Sequence, residues 1–146
     1  MVTSRMTSGL AVVLVAAALL AAACGSDDPG GVTDGVAVEA TIWTLDELAG
    51  EAVPDGVAVT LEYDGERISG NGGCNQYGGE AAFDAGAVTI DPEIMSTLIA
   101  CDEPAAGVEL RYLEALPRAA AFVVNDSTMT ISDADGESLL VFTANE

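Results

Sequence analysis

The chain has 146 residues, enough for one domain once a leader is removed. It carries 24 acidic side chains against four arginines and has neither lysine nor histidine, so its net charge is −20. Such a charge repels nucleic-acid phosphates and anionic lipid head groups, and the lack of histidine excludes Ser-His-Asp and Cys-His catalysis.

Residues 1–23 have the pattern of a secretory signal peptide. Arg5 and the N-terminal amine precede the unbroken apolar run Leu10–Ala23. This run is shorter than the roughly 20 residues needed to span a membrane, so a transmembrane anchor is the weaker alternative. We therefore expect the chain to be exported.

The junction after this run resembles the lipobox of bacterial lipoproteins. Small residues, Ala21–Ala23, stand directly before Cys24, and Leu20 lies one place earlier than the usual leucine. The resemblance implies that the Cys24 thiol receives a diacylglyceryl group, with fatty acids such as palmitate, and becomes the new N-terminus. We expect a lipid anchor on the extracytoplasmic side of the cell membrane. A plain secreted protein cut near Ala23 is the alternative.

Residues 24–40 are predicted to form the lipidated cysteine and a flexible tether. Gly25–Glu39 is rich in Gly, Asp and Pro and has no aromatic residue, a composition that cannot bury enough surface to order itself. About 15 flexible residues have a typical reach of roughly 20 Å. The following domain would then sit just clear of the lipid surface.

Residues 41–146 predict one mainly β domain of the α+β class, a small twisted barrel-like sheet with one helix. Alternating apolar residues and turn signals predict these strands: Thr41–Leu45, Val57–Tyr63, Glu66–Ser69, Ala81–Phe83, Ala87–Ile90, Ala120–Val124, Thr128–Ser132 and Ser138–Thr143. Asp46–Glu51 is predicted as a turn or short helix. One helix is expected from a cap at Asp102, with Pro104 in its first turn, to about Leu116.

Two cysteines remain after Cys24, and an even pair in an oxidising compartment favours a disulfide. A bond between Cys74 and Cys101 would close a loop with a separation of 27. Two buried free thiols are the alternative. The chain has no C-x-x-C pair, which argues against a redox role.

The segments that partly match cofactor-binding and metal-binding motifs do not place the required residues at the required positions. The glycine-rich stretch Gly70–Gly79 lacks the last glycine of a dinucleotide loop, because Asn75 stands there. A calcium loop aligned on Gly136 would place Ile131 and Phe142 at ligand positions. We therefore expect no cofactor, no metal and no enzymatic activity.

Several segments in one order resemble the META domain family, often labelled HslJ-like after a heat-shock lipoprotein. The resemblance covers about residues 41–143, and Gln76 and Ile99 depart mildly from the family pattern. The segments are Trp43–Leu45, Leu48–Val53, Ile68–Gly70, Gly73–Gly79, Met95–Cys101, Glu109–Leu116, Met129–Ile131 and Leu139–Phe142. The resemblance implies a compact barrel-like domain of envelope proteins, loosely associated with stress response and without established catalytic residues.

The glycine-rich loop admits two interpretations. Gly73 and Asn75 suit left-handed or close-packed backbone, which is a structural role. The alternative is a ligand site at Gly73, Asn75 and Tyr77.

The function predicted from the sequence is that of a non-enzymatic envelope lipoprotein with a binding or structural role. Its expected partners are the membrane, through the anchor, and an envelope protein or small ligand, but no nucleic acid. A small-molecule or lipid carrier within the barrel is the first alternative, and a carboxylate-based hydrolase the last.

Overall fold

The computed structural model of the protein describes residues 37–145. The predicted signal peptide, Cys24 and most of the predicted tether lie outside that range. Within it, no helix is long and apolar enough to cross a membrane.

The described residues form ten strands and one α-helix. The strands are β1 Trp43–Leu48, β2 Glu51–Ala52, β3 Thr60–Tyr63, β4 Arg67–Asn71, β5 Gln76–Asp84, β6 Ala87–Ile90, β7 Met95–Ser96, β8 Ala121–Asn125, β9 Thr128–Ser132 and β10 Ser138–Ala144. The helix α1 spans Ala105–Ala115, and a 3-10 turn follows at Leu116–Arg118.

Eight of these strands close into an antiparallel barrel. Their order is β10, β9, β8, β6, β5, β4, β3 and β1, and β1 pairs back onto β10. In the closing pair Trp43 lies opposite Ala144 and Leu48 lies opposite Leu140. The two-residue strands β2 and β7 pair with β1 and β5 outside this ring. The predicted mainly β, barrel-like fold with one helix is confirmed.

The barrel interior is filled by apolar side chains that alternate along the strands. Trp43 and Leu45 of β1 are both buried, as are Met129 and Ile131 of β9. Alternation of this kind arises because successive side chains on a strand point to opposite faces. The largest fully buried side chains are Trp43, Tyr112, Phe142, Leu61, Ile68, Leu116, Met129, Ile131, Leu140 and Val59. Burial of each side chain of this size stabilises the fold by about 1.5–3 kcal/mol.

The helix α1 packs one face, made of apolar side chains, against this core. Val108, Tyr112 and Ala115, spaced four and three residues apart, are its buried positions. The Tyr112 ring meets the Phe142 ring edge-on, with centroids 6.5 Å apart. The helix is thus held by a narrow apolar face.

Two local predictions were wrong in part. The turn predicted for Asp46–Glu51 is confined to Ala49–Gly50, because β1 continues to Leu48, which is buried and pairs with Leu140 of β10. The chain then reverses at Ala49–Gly50, where both residues have positive φ, and β2 begins.

The start of α1 also differs from the prediction. Asp102 does not cap the helix with its side chain, and Pro104 occupies the N-cap position rather than the first turn. The Glu103 carboxylate instead accepts a hydrogen bond from the Gly107 N–H at 3.1 Å. A free helical N–H is therefore satisfied by a neighbouring acid that the sequence pattern did not single out.

Candidate functional site

The candidate site is the loop that connects β4 to β5, and Gly73 shapes it. Gly73 has φ +115°, which side chains of L-residues rarely adopt. A Cβ there would lie 3.1 Å from Val57 Cγ1 and 3.4 Å from the Ala105 carbonyl oxygen. The backbone angle therefore favours glycine, and the close approach of the Val57 side chain disfavours any added Cβ, whereas the helix start lies at ordinary contact distance.

Asn75 joins this loop to the segment after β7. Its side-chain oxygen accepts hydrogen bonds from Thr97 Oγ1 at 2.8 Å and from the Ile99 N–H at 2.6 Å. Its side-chain nitrogen donates to the Ile99 carbonyl at 3.1 Å and to Glu109 Oε1 at 2.7 Å. Asn75 is only 5% exposed, so this buried amide uses its hydrogen-bonding groups within the protein.

Glu109 is the residue of this site that the sequence reasoning did not select. Its carboxylate accepts the backbone N–H groups of Cys74, at 3.2 Å, and of Asn75, in addition to the Asn75 side chain. Three N–H donors around one carboxylate form charge-assisted hydrogen bonds, which are stronger than neutral ones. Glu109 lies three residues before Tyr112, and this spacing puts the two side chains on the same face of a helix. That spacing was the feature of the sequence that could have pointed to Glu109.

The cysteine pair fastens the same two segments. Cys74 and Cys101 are at bonding distance, with their Cα atoms 6.0 Å apart, as the sequence predicted. The disulfide lies beside the Asn75 hydrogen bonds to Ile99. The loop is therefore attached to residues 97–101 both covalently and by hydrogen bonds.

Tyr77 lies inside the barrel rather than at the loop surface. Its hydroxyl donates to the Thr60 carbonyl oxygen at 3.0 Å and lies 2.6 Å from the Tyr112 hydroxyl. Burial raises the pKa of both tyrosines above the ordinary value of 10. Both therefore remain neutral at physiological pH, and neither is poised as a base or nucleophile.

The model of the META domain family matches residues 36–146 of this chain. The chain belongs to the META domain family. No curated protein matches it significantly.

Two solved structures share this META domain fold. One is the NMR structure of a protein from Burkholderia xenovorans, with a TM-score of 0.61 and 26% identity, covering 82% of this chain and 96% of that one. The other, also an NMR structure, has a TM-score of 0.58 and 20% identity, covering 74% of this chain and 94% of its own.

Within this META domain, the structure brings two separate sequence segments together. Gly73–Asn75 and Thr97–Cys101 meet through the disulfide and the Asn75 amide, while Tyr77 belongs to the core. Among residues 37–145 there is no cluster of three or more acidic or cysteine side chains arranged to hold a metal ion. Ligand binding at Gly73, Asn75 and Tyr77 stays a prediction. The disulfide and the Asn75 hydrogen bonds connect the loop to residues 97–101 and stiffen it.

Proposed function

We propose that this META domain protein is a lipid-anchored component of the cell envelope that acts by binding or stabilising another envelope component, without catalysis. Cys24, after a run of small and apolar residues, supports the anchor. The acidic, glycine-rich stretch that follows supports a tether between lipid and domain.

The proposal that the protein is not a catalyst rests on the polar side chains of the candidate loop, which are occupied by hydrogen bonds within the protein. The Asn75 amide and the Glu109 carboxylate bond to each other and to backbone groups. A general base or nucleophile needs a free lone pair directed at a substrate, and a general acid needs a proton directed at it. These groups are instead engaged in holding the loop.

The barrel interior favours binding at the outer surface over carriage of a molecule inside. Large side chains such as Trp43, Phe142 and Leu61 are fully buried there. A carrier needs an enclosed apolar cavity of at least about 300 Å³, whereas small barrels are filled by their own side chains. Four grooves among residues 37–145 open onto the surface, and one of them is lined by Val53, Pro54 and Val108.

The anchor is tested by replacing Cys24 with serine in the full-length chain. Cys24→Ser should abolish incorporation of labelled palmitate and either release the protein from the membrane fraction or block its processing. Ser26→Ala, two residues further on, is the matched control and should leave both readouts unchanged. Normal cleavage and unchanged membrane fractionation of Cys24→Ser would overturn the proposal of a lipid anchor.

The binding role is tested by recovering the anchored wild-type protein from its own membranes. We expect one or a few envelope proteins to be recovered with it in stoichiometric amounts. A Cys24→Ser form that is released from the membrane should recover them less efficiently, because the tether no longer concentrates the domain there. Recovery of the chain alone under conditions that preserve envelope complexes would count against binding.

A further inference from the structure

The segment that Asn75 and the disulfide hold in place exposes large apolar side chains. We call residues 94–100 the apolar loop. Met95 is 72% exposed, Leu98 96% and Ile99 64%. Six large apolar side chains are exposed among residues 37–145, and three of them thus fall within five consecutive positions. Single exposed apolar residues are ordinary on protein surfaces, but a contiguous group marks an interaction site.

The backbone of the apolar loop is fixed by hydrogen bonds. The Thr97 N–H donates to the Gln76 carbonyl oxygen at 3.0 Å, and Ser96 pairs with Tyr77 as part of β7. Both backbone groups of Ile99 bond to the Asn75 side chain, and the disulfide follows at Cys101. A loop already ordered in this way loses little conformational entropy when it binds.

Acidic side chains flank the apolar loop along the chain. Asp91 and Glu93 precede it, Asp102 and Glu103 follow it, and all four are exposed. No basic residue lies between Arg67 and Arg111, and these two arginines pair with Glu80 and Glu51. None of the four flanking carboxylates takes part in an ion pair within the described part of the chain.

We infer that the apolar loop is the docking surface for a partner protein that offers an apolar pocket rimmed by lysine or arginine side chains. Leu98, with Met95 and Ile99, would enter the pocket, and the flanking carboxylates would face the basic rim. Apolar anchors at the centre with charged groups at the rim are the usual anatomy of a specific interface. This inference rests on the proposed binding function and names the class of partner.

The same charges argue against the lipid surface as the occupant. Segments that insert at membrane interfaces combine apolar residues with lysine and arginine, which are attracted to anionic head groups. Here Glu93 and Asp102 stand at the two ends of the apolar loop, so an anionic surface would repel it. A protein surface with an apolar pocket and a basic rim complements both the apolar side chains of the loop and its flanking carboxylates.

The absence of lysine allows a direct test. A water-soluble carbodiimide joins carboxylates to amines in contact, and apart from its N-terminus this chain offers no amine of its own. We therefore propose treating envelopes that contain the full-length protein and mapping its adducts by mass spectrometry. We expect Glu93 or Asp102 to be joined to a lysine of one other envelope protein.

Leu98→Ser is the diagnostic variant, because so exposed a side chain contributes little to folding. It should lower the adduct yield, and the affinity for the purified partner, by at least about tenfold. Val123→Ser, at a side chain that is 56% exposed on β8, is the matched control and should change neither. Added salt should weaken the wild-type complex, because screening removes the attraction between the acidic flanks and the basic rim.

Four outcomes would overturn the inference. Adducts confined to other carboxylates, such as Asp133 or Glu137, would exclude the apolar loop but leave the proposed binding function standing. Adducts with lipid amines would assign the loop to the membrane. A concentration-dependent dimer that Leu98→Ser abolishes would assign it to self-association. The absence of any protein adduct, together with co-recovery of envelope proteins that neither Leu98→Ser nor added salt weakens, would contradict the inference but leave the binding function standing.

Discussion

The side chain of Asn75 donates a hydrogen bond of 2.7 Å to Glu109 Oε1, across 34 positions of the sequence. This bond connects the β4–β5 loop to the middle of α1. Because Asn75 also holds Ile99, one buried amide links three elements that are distant along the chain.

Removal of this amide should be costly. Asn75→Ala is expected to lower the free energy of unfolding by about 3 kcal/mol, because it leaves the Ile99 backbone groups without their partner. Gln76→Ala, at the exposed neighbouring side chain, is the control and should cost less than about 0.5 kcal/mol. Chemical denaturation of both variants measures the difference, and equal losses would contradict a special role for Asn75.

Reduction of the disulfide should destabilise the domain by about 2–4 kcal/mol. The physical reason is that the bond between Cys74 and Cys101 restricts the unfolded chain. For a domain of about 100 residues this corresponds to a fall in Tm of roughly 10–25 °C. The measurement uses Cys24→Ser protein with and without reductant. Two free thiols in the denatured, unreduced protein, or an unchanged Tm, would disprove the bond.

Gly70→Ala should be more damaging than a glycine substitution in an open turn. A Cβ at Gly70 would lie 2.1 Å from the Thr60 carbonyl oxygen, a backbone atom that cannot move without distorting β3. We expect a loss of at least about 3 kcal/mol. Gly50→Ala is the control: its Cβ meets nothing within 4 Å, so only the strain of φ +79° remains, about 1 kcal/mol. A comparable loss in the two variants would contradict the steric argument.

The buried tyrosines predict a loss of stability at high pH. Burial raises the folded-state pKa of Tyr77 and Tyr112 above the unfolded value of 10. Above pH 10 the unfolded state therefore releases protons that the folded state retains. Their contribution to stability is complete below pH 10 and decreases as the pH rises towards the folded-state pKa values, with a limiting slope of about 1.4 kcal/mol per pH unit for each tyrosine.

Denaturation at a series of pH values above 9, with tyrosinate absorbance followed in parallel, measures this slope. Tyr77→Phe removes one of the two groups and should reduce the slope by about half. A free energy of unfolding that is independent of pH between 9 and 11 would contradict the raised pKa of the two buried tyrosines.

The sequence by itself determined the features that depend on neighbouring residues. The turn at Asp133–Gly136 connects β9 to β10, and the turn at Asp84–Gly86 connects β5 to β6, where the glycines adopt positive φ. Alternating residues predicted which side chains enter the core, because the pleat of a strand is a local property. The cysteine pairing was also predictable, because only two candidates remained after Cys24.

Only the tertiary structure decided how distant segments meet. The closure of β1 onto β10 and the contact of Asn75 with Glu109 depend on chain reversals far from the residues involved, which no local pattern encodes. The prediction for Asp46–Glu51 was wrong in extent for the same reason, since pairing with β10 extends β1 beyond its local preference. The exposure of Leu98 likewise follows from long-range attachment, because an apolar residue is buried or exposed according to what the rest of the chain places over it.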